Sequence, residues 1–307
     1  MPKFSVLILG NASAAPTLTR NQTSQLVNIN EQYYLIDCGE GTQLRLREHK
    51  IKLQRINHIF ISHLHGDHYL GLIGLIQTMH LLGRTTDLII HCPGNIKAII
   101  DVHLQVSESH LKYSLNYNTV NHETSEVVFE NDKVIVVSIP LKHRIPCCGY
   151  LFKEKPKPRR IDPNAIKRYN IPNHAINKLK LGADYCANEE EIIKNNLLTQ
   201  DSLPSYAYAF CSDTKYFEEI SLIIKGVDLL YHEATFTEEH NDRAKKTYHS
   251  TAKQAAQIAL KSNAKKLIIG HFSNRYSDLN LLLAEAKSVF ENTDLAIQGN
   301  EFRVNNL

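Results

Sequence analysis

The sequence predicts a layered α+β domain in which helices cover β-sheets, and three features predict it. Short β-rich runs recur along the 307-residue chain, helical patterns with apolar residues three and four apart fall between several of them, and the composition is that of an ordinary globular protein, 43% hydrophobic and 22% charged. The strand-like runs cover residues 5–9, 33–37, 58–62, 87–92 and 134–139, then 207–212, 227–231, 266–270 and 295–298. The helical patterns cover residues 66–82, 95–106, 251–261 and 279–290.

A chain of this length lies near the point where one core stops growing, so one large layered domain, or a domain with an insertion, is expected. Residues 152–204 break the rhythm of strands and helices. They carry Pro156, Pro158, Pro163, Pro172 and Pro204, then the acidic Glu189-Glu190-Glu191. The segment reads as an inserted arm with small elements of its own and no second core, within a single domain spanning residues 1–307. Between Lys153 and Lys180 nine Lys and Arg residues face only Glu154 and Asp162, although the whole chain is only +3. Such a window suits a polyanion, or else it is a solvated surface loop.

Apolar runs such as residues 72–76 are far shorter than the roughly 18 residues of a membrane span, so no membrane partner is expected. The N-terminal apolar stretch runs into a polar turn and reads as a first strand, not a signal peptide. The six cysteines form no C-x-x-C pair and no regular framework, which points to a reducing, cytoplasmic setting.

The strongest chemical signal is His63-Leu64-His65-Gly66-Asp67-His68, placed between a strand-like run and a helical pattern. Three imidazoles and a carboxylate in six residues concentrate metal-ligand types that have little structural use elsewhere. His63 and His65 can grip one ion and Asp67 with His68 a second, so further ligands must come from elsewhere in the chain. His143, Asp213 and His271 each stand just beyond an apolar strand, where a rigid sheet displays functional groups. Two cations about 3.5 to 4 Å apart lower the pKa of a shared water and clamp both oxygens of an in-line displacement at phosphorus.

Taken together, these strings resemble a known family. The H-x-H-x-D-H cluster is the signature of the metallo-β-lactamase fold superfamily, and surrounding motifs narrow the resemblance to ribonuclease Z, the tRNA 3′-processing endonuclease. They are Leu9-Gly10 with Ala15-Pro16-Thr17 and Arg20-Asn21; Asp37-Cys38-Gly39-Glu40-Gly41-Thr42-Gln43; His143-Arg144-Ile145-Pro146 with Gly149-Tyr150; Ser212-Asp213-Thr214; His232-Glu233-Ala234-Thr235; His249-Ser250-Thr251; and Gly270-His271-Phe272-Ser273 with Arg275-Tyr276.

The resemblance implies a four-layered αβ/βα sandwich, with His63, His65 and His143 on one Zn2+, Asp67, His68 and His271 on a second, and Asp213 bridging both. It assigns Asp67 the role of proton acceptor from water, and Glu233 with His249 that of proton donor to the departing O3′. On the residues alone, His249 and Ser250 could instead cap the helix that follows. Asp37 and Glu40 either orient metal-bound histidines or simply form a turn. His232 reads as a packing or supporting residue, and Cys147 and Cys148 as buried small residues rather than thiolate ligands.

The resemblance also implies a homodimer and a flexible arm that grips precursor tRNA, which makes Arg159, Arg160, Lys167 and Arg168 candidate substrate contacts. Ile171-Pro172-Asn173-His174 lacks the Gly-Pro pair that such arms often carry. Two other classes are compatible with the fold or the metals alone: a hydrolase of small esters, thioesters, lactams or sulfates, and an RNA-binding protein whose zinc is structural.

Overall fold

The computed structural model describes residues 3–187 and 191–306, so Glu189 and Glu190 of the acidic run lie outside the described residues. The chain divides into two compact units, one built from residues 1–153 and 206–307, the other from Glu154–Ser205.

The larger unit is built on two sheets of seven strands each. Across the first sheet the order is Glu301–Arg303, Phe4–Gly10, Ser24–Ile29, Gln32–Ile36, Ile56–Phe60, Leu88–Cys92 and Leu115–Thr119. Its first four strands pair antiparallel and the rest parallel. The second sheet runs Thr293–Leu295, Lys266–Gly270, Leu229–Glu233, Ala207–Cys211, Cys148–Glu154, Val134–Pro140 and Val127–Glu130, with its first four strands parallel.

Alternation along each strand sorts apolar side chains into separate layers. Phe60, Ile36, Tyr150, Phe152, Tyr208, Phe210 and Tyr231 fill the space between the sheets. Leu35, Ile59, Ile61 and Ile90 pack outward with Leu46, Leu75 and Ile100 from the helices Thr42–Glu48, Gly71–Leu81 and Ile96–Val106. On the other side, Ala209, Leu230, Leu267 and Ile269 meet Ile220, Ala256 and Leu282 from helices Ile220–Ile223, Ala252–Lys261 and Asn280–Lys287. Helix, sheet, sheet and helix make the four layers expected.

Most expected elements appear, but the strand expected over 295–298 lies instead at Thr293–Leu295, and the strands Ser24–Ile29, Leu115–Thr119, Val127–Glu130 and Glu301–Arg303 and the helices Thr42–Glu48 and Asn241–Thr247 were not read from the sequence. Two further differences are instructive. The helical pattern over residues 66–82 is two helices, Gly66–Tyr69 and Gly71–Leu81. The Gly71 N–H leaves the helical pattern and donates to Cys38 O at 2.9 Å, and a Cβ at Gly71 would lie 2.1 Å from Gly39 O. Only glycine allows that approach, and it breaks the helix beside the metal-ligand run.

The second difference concerns the insertion. The strand Cys148–Glu154 pairs Phe152 with Tyr208 in the second sheet, so the inserted unit starts two residues later than expected. That unit also has a small core of its own, contrary to expectation: Ala165, Ile171, Leu179, Ile193 and Leu198 are buried together. The apolar positions of helices Pro163–Arg168 and Asn173–Lys180 supply it, along with two short ribbons, Arg160–Ile161 on Thr199–Gln200 and Tyr185–Cys186 on Ile192–Ile193.

An imidazole pair, His91 buried and His58 half-buried, sits on the inner face of the first sheet. His58 Nδ1 lies 3.2 Å from His91 Nε2, the His91 ring stacks on Phe60 at 4.3 Å, and Asn118 Nδ2 donates to His91 Nδ1 at 3.1 Å. Burial disfavours the charged rings and lowers both from 6.5, His58 to about 4 and His91 to about 3. A group depressed in the folded state contributes stability that is complete above its unfolded value and is lost as pH falls toward its folded one. Denaturant unfolding is therefore expected to show stability declining from about pH 6.5 to about pH 3. His91→Gln should flatten that slope; an unchanged slope would contradict neutral burial.

Candidate metal centre

Strands of both sheets end at one edge, and the loops leaving them carry the candidate ligands, most of them after parallel strands, as open α/β sheets generally place their sites. His63 and His65 follow Ile56–Phe60, and Asp67 and His68 lie in the short helix Gly66–Tyr69. His143 follows Val134–Pro140, Asp213 follows Ala207–Cys211, and His271 follows Lys266–Gly270. Ser62 braces the two sheets at this edge. Its carbonyl accepts from Cys148 N–H at 3.0 Å, and its hydroxyl accepts from Ser212 Oγ at 3.0 Å.

All seven candidate ligands converge. His63, His65, His143 and Asp213 form one group and Asp67, His68 and His271 another, with the ligand atoms of each within 4.8 Å of one another. In the first group His65 Nδ1 lies 3.0 Å from His63 Nε2 and 3.1 Å from His143 Nε2. In the second, Asp67 Oδ2 lies 3.4 Å from both His68 Nε2 and His271 Nε2.

Asp213 addresses both groups with different oxygens. Its Oδ2 is 3.7 Å from His63 Nε2 and 3.9 Å from His143 Nε2, while its Oδ1 is 3.5 Å from His68 Nε2 and 3.1 Å from His271 Nε2. Its two oxygens thus face different ligand groups.

Most of these imidazoles are tied through their other nitrogen, which leaves the facing nitrogen as an acceptor. His68 Nδ1–H donates to Asp37 Oδ2 at 2.7 Å, and His63 Nδ1–H to Ser62 Oγ at 3.1 Å. His143 Nδ1–H donates to Tyr248 O at 2.9 Å, and His271 Nδ1–H to Thr235 Oγ1 at 2.9 Å. Tyr248 ends the helix Asn241–Thr247 in the left-handed region, φ 60°, which turns its carbonyl and the following His249 toward the site.

Burial holds His63, His65 and His143 below their ordinary pKa, as neutral rings suited to ligation. Burial alone would push Asp67 up, but His68 and His271 outweigh it and keep the carboxyl ionised. His68 is the reverse: burial lowers it, and the pull of Asp67, Asp213 and Asp37 overcomes that and raises it.

The donor set fits divalent cations. His68 Nε2 and Asp213 Oδ1 are buried polar atoms with no hydrogen-bond partner, an arrangement that costs free energy unless a cation takes the place of the missing partner. Imidazole and carboxylate without thiolate suit zinc and several other divalent metals. Cys147 and Cys148 are buried, and burial pushes both thiols up, as befits packing residues.

His249 and Glu233 lie beside this centre. His249 Nδ1–H donates to Glu233 Oε1 at 3.0 Å, and Glu233 is completely buried. Burial lowers the imidazole, but Glu233 and Asp213 outweigh it and bring His249 up to about 9. The alternative capping role is overturned: Thr251 caps the helix Ala252–Lys261 in a capping box with Gln254, while Ser250 Oγ donates to Thr214 O. His232 is buried and its Nδ1–H donates to Glu233 O at 2.7 Å, a supporting position.

Asp37 and Glu40 part ways. Asp37 accepts from His68, from Ser62 N–H at 2.7 Å and from Ser62 Oγ at 2.9 Å. Glu40 is exposed and contributes its backbone N–H, to Gln22 Oε1 at 2.9 Å. Ser62, Thr235 and the Tyr248 carbonyl were not read from the sequence, although Ser62 and Thr235 stand beside the signalled residues.

An open cleft of about 480 Å³ exposes the centre, lined by Asp67, Asp213, His249, His271, His65 and Arg144 among others. Arg159, Arg160, Lys167 and Arg168 belong to the Glu154–Ser205 unit. Arg159 is turned into that unit's own packing, with Nη1 2.8 Å from Asp201 Oδ1 and Nε donating to Thr199 Oγ1 at 2.7 Å. Arg160, Lys167 and Arg168 are exposed.

Asp37→Ala is expected to weaken metal retention about 10- to 100-fold, as loss of a ligand's orienting partner typically does. Glu40→Ala should leave it unchanged. Competition with a chelator measures both, and equal effects would contradict the separation.

A family model described as Anti-Pycsar protein Apyc1 matches residues 4–143. That is less than half of the chain and ends before Asp213, Glu233, His249 and His271. The short form of human tRNase Z superposes with a TM-score of 0.69 over 98% of this chain and 99% of that one, at 24% identity. A metallo-β-lactamase fold protein from Bacillus subtilis superposes with a TM-score of 0.69 over 99% of this chain and 100% of that one, at 16% identity. The fold is thus the metallo-β-lactamase fold. A protein of Bacteroides thetaiotaomicron named Ribonuclease Z is 47% identical over 306 residues, 100% of this chain and 97% of that protein. With nearly half of its residues shared from end to end, the chain belongs to the ribonuclease Z family.

Proposed function

We propose that this protein is an endoribonuclease that removes 3′ trailers from precursor tRNA, with two divalent ions, Zn2+ by the family resemblance, at the centre described above. The observation that carries the chemistry is the seating of Asp213 with one oxygen toward each ligand group, beside an imidazole hydrogen-bonded to a buried carboxylate. The full-length similarity to a protein named Ribonuclease Z supports the substrate.

His63, His65 and His143 would hold one ion, Asp67, His68 and His271 the other, and Asp213 both. Such ions supply an ionised water at neutral pH and stabilise charge at phosphorus. Asp67 lines the open cleft, and its Oδ2 accepts from Ala14 N–H at 2.8 Å. From there it orients the attacking water and accepts its proton. His249, held through Nδ1 by Glu233, donates a proton to the departing O3′, while Glu233 balances the imidazolium. Because water attacks rather than a ribose hydroxyl, the tRNA leaves with a 3′-hydroxyl and the trailer with a 5′-phosphate.

The Glu154–Ser205 unit is the tRNA-binding arm in this reading. Arg160, Lys167 and Arg168 present exposed positive charge on a small folded support, suited to phosphates and to RNA shape rather than base sequence. The family resemblance also supports a homodimer in which one subunit's arm serves tRNA at the other's centre; light scattering of the purified protein tests the mass.

Purified protein is expected to cut a labelled tRNA carrying a 3′ extension, to stop on addition of chelator, and to lose activity in Asp67→Ala. His249→Ala should lower kcat about 100- to 10,000-fold with metal content retained. Turnover of a small ester with no cleavage of that RNA would overturn the reading. Neutralising Arg160, Lys167 and Arg168 together should weaken tRNA binding and flatten its salt dependence by about one unit of slope per lost phosphate contact, while sparing a minimal phosphodiester. Unchanged tRNA binding would remove the arm from the account.

A further inference from the structure

Two buried carboxylates support this centre in the same way. Asp37 takes His68 Nδ1–H directly and reaches His63 through the Ser62 hydroxyl. Glu233 takes His249 Nδ1–H directly at 3.0 Å, and the Thr235 hydroxyl stands between it and His271, 2.7 Å from Glu233 Oε2 and 2.9 Å from His271 Nδ1.

Donor and acceptor accounting fixes the direction of this second chain. Glu233 Oε1 accepts from Thr214 N–H, Ser250 N–H and His249, and its Oε2 accepts from Thr235 N–H at 2.9 Å. An ionised carboxylate only accepts, so the single Thr235 hydroxyl proton goes to Glu233 Oε2. The hydroxyl can then only accept from His271, which places a proton on its Nδ1, so that the neutral ring, the form that binds a cation, has its Nε2 lone pair toward Asp67 and Asp213, 3.4 and 3.1 Å away. His271 itself is held at φ 58°, so its backbone admits little adjustment should the ring lose this anchor.

We infer that Thr235 is a positioning residue through which Glu233 sets the tautomer of a metal ligand, so that one carboxylate serves both the proton-donating imidazole and the His271 half of the metal centre. The inference rests on the proposed two-ion reading of the site. Loading of that half-site and readiness of the proton donor are then coupled through Thr235, whereas the Asp37 chain couples one metal ligand to another.

The test is titration of the metal-free protein with Zn2+ against a chromophoric chelator, for wild type, Thr235→Val and Thr235→Ser. Valine keeps the shape and removes the hydroxyl; serine keeps the hydroxyl. Thr235→Val is expected to weaken one of two bound ions about 10- to 100-fold and leave the other unchanged, with Thr235→Ser restoring both. Two ions bound by Thr235→Val at wild-type affinity, equal losses in the valine and serine variants, or no Zn2+ bound by the wild type would overturn it. A wild type that binds two ions yet cuts no extended tRNA would overturn the proposed substrate and leave the Thr235 assignment standing.

Discussion

The structure turns on the burial of Asp213. Its carboxylate is 3% exposed and stands between two sets of imidazoles, and a lone buried charge of this kind is expensive unless opposite charge meets it. Asp37 and Glu233 are buried as well, so carboxylates concentrate where two sheets meet. The upward pull on His68 and His249 is the response of the nearest groups able to gain a proton. Divalent cations answer the same demand with more charge and fixed direction, which is why the ligand geometry and the electrostatics point the same way.

The fold makes this burial possible by spending regular structure elsewhere. Strands of both sheets end at one edge, so ligands far apart in sequence need only the first residues of their loops to meet. Asp37 and His271 both adopt positive φ, a conformation that non-glycine residues seldom take and that clusters at functional sites. The sheets are braced at the same edge by Ser62, and Tyr150 OH crosses between them to Ile61 O at 2.7 Å.

Much of this was legible in the sequence because the signals are local. His63 to His68 is a short run of ligand types, and His143, Asp213 and His271 stand at points where an apolar run stops. Thr235 and the Tyr248 carbonyl carry no such mark: a threonine or a backbone oxygen becomes an anchor only when folding brings an imidazole to it. The strand Cys148–Glu154 was hidden for another reason. It is buried on nearly every residue, so it lacks alternation, and it runs straight into the proline-bearing basic segment. Glu40 failed as a supporting residue because its string forms a turn that leaves the side chain in solvent, which spacing alone does not reveal. The core of the inserted unit was missed because its apolar residues are few and scattered among lysines and prolines.

The account's central claim is that seven side chains from distant loops form one dinuclear centre. Anomalous scattering from crystals of the protein, collected on both sides of the zinc absorption edge, tests it most directly. The account predicts two peaks, one among His63, His65, His143 and Asp213 and one among Asp67, His68, His271 and Asp213. Featureless maps at that edge of the sandwich, or a lone peak elsewhere in the chain, would contradict it.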